Sequence, residues 1–177
     1  MKTRVVLTSC IAVVFGLASA ANAQLRAGSP EETAYTKIEA EKNGDAKLVL
    51  MLDFEKQHAS VNPKVMAPLF LMVMDIYSQK DNKPKIAEYG DKAIAKDPDN
   101  VTALLAVSRN YATERTNLTK AVEYAEKAKV IIETLRKDPA PLGQTDAQYK
   151  EWLDANATSA AQYADYAKTL AARPANP

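Results

Sequence analysis

The side chains that most often do chemistry are scarce in this chain. His58 is the sole histidine and Cys10 the sole cysteine among 177 residues. A Ser-His-Asp or Cys-His relay would have to run through His58, and no Ser or Asp constellation is spaced around it, so a helix-end or packing role accounts for it. The phosphate-cradling G-x-x-x-x-G-K-[ST], the dinucleotide G-x-G-x-x-G, the metal-binding H-E-x-x-H and C-x-x-C, and the nucleophile elbow G-x-S-x-G are all absent. Carboxylates are plentiful, but they fall in helical Glu–Lys pairs such as Glu123 and Lys127, a solvated i,i+4 pattern. Asp75 differs: it is the lone charge in the run Val65–Ile76. Burying it alone would be costly, so it needs water or a partner. These residues predict no enzyme, no cofactor and no metal site. Three N-x-[ST] sequons, at Asn100, Asn117 and Asn156, would matter only in a glycosylating host and otherwise read as helix caps and chance.

The chain is 47% hydrophobic and 25% charged, which excludes a disordered acidic tail, a collagen-like fibre and a disulfide scaffold. Residues 1–23 read as a signal peptide. Lys2 and Arg4 precede the uncharged apolar stretch Val5–Ala20, and Ala21-Asn22-Ala23 is a cleavage site that leaves Gln24 first. The stretch is short for a membrane anchor, since a span needs about 20 residues. Leu7-Thr8-Ser9-Cys10 has lipoprotein-box form but comes too early. Residues 24–177 form a single domain of 154 residues, with 21 basic against 22 acidic residues and no cysteine. A near-neutral domain has no electrostatic footprint for nucleic acid. Export places it in the periplasm or outside the cell, with no transmembrane segment after cleavage.

Apolar spacings of three and four residues predict helices throughout and no strands. Ser29-Pro30-Glu31-Glu32 opens a helix running to about Asn43, with Gly44 as its stop. Further helices are expected from Asp45 to about Ala59, Lys64 to Gln79, Asp81-Asn82-Lys83-Pro84 to Lys96, Val101 to about Thr113, and after an Asn117 cap to Leu135. Thr145-Asp146-Ala147-Gln148 has capping-box form and opens a long last helix.

An internal repeat organises these helices. Asp53-Phe54-Glu55, Glu88-Tyr89-Gly90 and Glu123-Tyr124-Ala125 recur at steps of 35, as do Gln57, Lys92 and Lys127, while Tyr77 and Tyr111 are 34 apart. Two helices per period of about 34 residues indicate a helical solenoid. Phe70, Val73, Tyr77, Ala93 and Pro98 in 67–100, and Leu104, Val107, Ser108, Tyr111, Ala121 and Ala128 in 101–135, resemble the tetratricopeptide repeat (TPR) family, here as an exported bacterial TPR-containing protein. Met74, Ile86 and Glu133 depart from that pattern. The resemblance implies an all-α solenoid of antiparallel helix hairpins in a right-handed superhelix. It comprises a degenerate first hairpin over 30–66, repeats at 67–100 and 101–135, and a capping helix at 145–172.

The same resemblance implies a concave groove lined by first helices: Leu71, Asp75 and Ser78 in one unit, Leu105, Arg109 and Ala112 in the next. Asp75 and Arg109 are then either a structural ion pair or anchors for a ligand. All four methionines after Met1 lie between 51 and 74; they line an adaptable binding surface or fill a helix buried on both sides. The expected function is an exported, non-catalytic adaptor or scaffold that binds a protein or peptide in the groove. The rival is a homo-oligomeric structural subunit of a cell-envelope complex.

Overall fold

Polar caps set the helix starts. The computed structural model describes residues 25–172, and seven helices and no strand occur among the described residues: α1 (Pro30–Ala40), α2 (Gly44–Gln57), α3 (Pro63–Gln79), α4 (Lys83–Lys96), α5 (Val101–Thr113), α6 (Leu118–Leu135) and α7 (Asp146–Ala171). Ser29, Asn43, Asn62, Asn82, Asn100 and Thr145 each accept a backbone N–H of the following turn through a side-chain oxygen, satisfying donors that a helix start otherwise leaves open. Thr145 and Gln148 complete the expected capping box. The signal-peptide reading of residues 1–23 lies outside the described residues.

Two turns differ from the sequence reading. α1 ends at Ala40, and Gly44 begins α2 instead of stopping α1. The cause is Asn43, whose side chain accepts from the N–H groups of Asp45 and Ala46 at 3.0 Å and restarts the helix at once. Asn117 does not cap α6 through its side chain. It sits at φ 45°, just after Arg115 at φ 54°, and shapes a left-handed turn. Of the other sequon residues, Asn100 caps α5. Asn156 lies inside α7 and donates to the Trp152 carbonyl at 2.7 Å.

Each helix packs on the next, and α7 also reaches α5. The pairs Glu126–Lys168 and Arg136–Asp154 rise along α6 as they descend α7, so these two helices run antiparallel. α3 is buried nearly all round, through Val65, Met66, Ala67, Leu69, Phe70, Leu71, Val73, Met74 and Ile76. Met51 is buried too, and Met72 is half-buried against the core. The methionines are core residues, and their adaptable thioethers fill gaps between helices.

The departures from the repeat pattern compensate one another. Met74 is bulky where Ser108 stands one unit later, and Gly90 is minimal where Ala125 stands. A Cβ on Gly90 would lie 3.2 Å from Met74 Sδ and 2.1 Å from Val107 Cγ2. Ser108 is fully buried and donates to the Ala121 carbonyl at 2.7 Å, which ties α5 to α6.

Candidate functional site

The six residues expected to line a groove divide into two sets. Leu71, Leu105 and Ala112 are buried within the contiguous apolar core. Asp75, Ser78 and Arg109 are half-buried and keep some contact with solvent. Asp75 accepts from Gln79 Nε2, one turn on, at 2.9 Å. It makes no ion pair with Arg109. The Arg109 carbonyl accepts from Thr113 Oγ1, but its guanidinium has no hydrogen bond or ion pair among the described residues. The polar part of the expected face therefore holds one neutral-capped carboxylate and one unpaired guanidinium, on α3 and α5.

The densest polar constellations lie elsewhere, at the joints between hairpins. On α2, Glu55 accepts from Tyr89 Oη at 3.0 Å and from Lys92 Nζ at 2.8 Å. On α4, Asp91 accepts from Tyr111 Oη at 2.7 Å, Tyr124 Oη at 3.0 Å and Lys120 Nζ at 3.0 Å. On α6, Glu126 accepts from Lys168 Nζ at 2.6 Å. Each acid thus latches one hairpin to the element that follows. Lys92 also lies 4.2 Å from the centre of the Tyr89 ring, a cation–π contact that adds to the latch.

Sequence reasoning followed the acids that precede the aromatics, Asp53, Glu88 and Glu123. Of these, Asp53 and Glu123 are exposed, and Glu88 pairs with Lys85 and Lys92 on the surface of α4. The latching acids Glu55, Asp91 and Glu126 follow their aromatics at irregular offsets. The 35-residue step from Glu55 falls on Gly90, where any side chain would strike Val107, and the acid moves to the next residue. Steps of 36 and 35 between these three acids were the available signal.

Tyr77 and Tyr111 hold corresponding positions with different partners. Tyr111 reaches Asp91, whereas the Tyr77 ring stacks on Tyr89 at 5.7 Å. Burial, and then the hydrogen bond to an acid, pushes the phenols of Tyr89 and Tyr111 up to about 12. A phenol that loses its proton near pH 10 when unfolded and near 12 when folded binds more protons in the folded state. Stability should therefore be level up to about pH 10 and fall as pH rises from 10 to 12. Denaturant titrations across that range check this, and Tyr111→Phe should flatten part of the fall.

His58 caps the end of α2, with its ring 4.8 Å from that of Phe54 and Nδ1 3.6 Å from Glu31 Oε1. Among the described residues no serine hydroxyl is bonded to it. Among the described residues no cluster of His, Cys, Asp or Glu is placed to hold a metal ion, and no helix is long and apolar enough to cross a membrane. Comparison of the chain with family models, with curated proteins and with solved structures returns no match.

Proposed function

We propose that the chain is an exported, non-catalytic adaptor of the TPR type that binds an extended peptide or protein segment across the first helices of its units, α3 and α5. Four features support this reading: the two-helix period near 35 residues, the family-like Ala93 and Pro98 that close the 67–100 unit, the signal-like residues 1–23 and the chain of latches between hairpins. In it the hairpins wind as a right-handed superhelix closed by α7.

The observation that carries the reading is the Arg109 guanidinium. It is half-buried and has no partner among the described residues, although acids are nearly as frequent as bases in this protein. A partly desolvated cation without an intramolecular acceptor is ready to bind an acceptor from outside. Asp75, in the corresponding place one unit earlier, offers the opposite charge, so the face favours a segment carrying both signs.

A random peptide library selected on the immobilised chain tests this. Enriched peptides should share acidic residues and should survive counter-selection against immobilised Arg109→Ala, which they no longer bind. Recovery of no peptide, together with particle size that grows with concentration in light scattering, would favour the self-assembling subunit. The exposed side chains of Val130 and Tyr166 would then be the surfaces to test first.

A further inference from the structure

α1 packs substantially on one helix, α2, whereas every later helix packs on at least two. It has 11 residues, a length at which an isolated helix is marginal in water, so its order depends on packing. It packs on α2 and buries only Tyr35 and Ile38 fully. Its Ser29 cap is local and does not tie it to the rest of the protein. The contact from Glu31 to His58 Nδ1, at 3.6 Å, is too long for a hydrogen bond.

The main anchor carries a defect. Tyr35 is fully buried with its ring edge-on to Phe54 at 5.6 Å, yet its hydroxyl has no hydrogen-bond partner, alone among the buried side-chain polar atoms of the described residues. The hydroxyls of Tyr89, Tyr111 and Tyr124, in the later hairpins, all reach a carboxylate. Docking α1 strips water from a hydroxyl and returns nothing for it, whereas undocking rehydrates it.

We propose that α1 is a releasable strap, which lifts from α2 in a local opening while α3–α6 stay folded and in doing so uncovers Phe54. The three-residue connection Glu41–Asn43 serves as its hinge, and the α2 start stays capped by Asn43 whether or not α1 is docked. Local openings of this kind lie well below global unfolding in free energy.

Amide hydrogen exchange of the full chain, resolved by helix, tests the strap. Backbone amides of 34–40 should exchange at least a hundredfold faster than those of α3 and α5. Tyr35→Phe removes the orphan hydroxyl and keeps the ring, so it should slow α1 exchange by about tenfold and leave α3 unchanged. Ile38→Ala should speed α1 exchange while protection in α3–α6 is kept. The proposal fails if α1 is as protected as α3, if Tyr35→Phe leaves α1 unchanged or slows every helix alike, or if Ile38→Ala lowers protection in all helices together.

Discussion

Asp91→Ala is expected to lower stability by about 3 kcal/mol, which in a domain of this size is a fall of roughly 6–12 °C in melting temperature. The carboxylate serves three donors on two helices, and its own side chain is 31% exposed. Lys120 is the most exposed partner and contributes least, because water replaces the lost contact. Tyr111 contributes most. Its buried hydroxyl would be left without an acceptor, and an unsatisfied buried donor costs about 1–3 kcal/mol. A thermodynamic cycle separates the parts. Tyr111→Phe alone should cost about 1 kcal/mol. On the Asp91→Ala background it should cost nothing or restore stability, since it removes the orphaned group. Additive losses would mean that the two residues do not act as a unit.

Gly90→Ala should also destabilise, against the helix propensities. Alanine is favoured over glycine by about 1 kcal/mol inside a helix. Here the added methyl would lie 2.1 Å from Val107 Cγ2, and α4 and α5 would have to move apart. Overpacking of this kind typically costs about 1–3 kcal/mol, and against a propensity gain of about 1 kcal/mol a net loss of about 1–2 kcal/mol is expected from chemical denaturation. Val107→Ala removes the obstructing methyls. The double variant should therefore be more stable than the sum of the two single losses. A stable Gly90→Ala single variant would show that the seam between α4 and α5 is looser than these contacts imply.

The helices were legible in the sequence because their signals are local. Ser29 and Thr145 announce helix starts, and apolar spacing fixes the faces. The all-helical class followed from the same periodicity. Gly44 and Asn117 misled for different reasons: a glycine after a helical run is the usual stop signal, but the Asn43 cap before it makes Gly44 a start, while asparagine caps helices and also adopts the left-handed conformation, as Asn117 does. Asn43 lies two residues before a free N–H it can reach, whereas Asn117 closes a turn that already holds Arg115 at positive φ.

The candidate face was only half legible. Positional transfer names Leu71, Asp75, Ser78, Leu105, Arg109 and Ala112, but burial depends on how closely neighbouring helices approach, and the approach is set by residues such as Gly90 and Ser108 on other faces. The apolar members of the set entered the core, while the polar ones kept contact with solvent. The latches were missed because their acids drift by one residue relative to the aromatics, and a fixed-step comparison passes over them.

The reading of this protein as a peptide-binding adaptor rests on Arg109 being a binding residue that contributes little to stability. A library-selected peptide, fluorescently labelled and titrated with the chain and with Arg109→Ala, measures this directly. The expected result is at least tenfold weaker binding by the variant with its melting temperature unchanged. Equal affinity, or a large fall in melting temperature with binding retained, would contradict it.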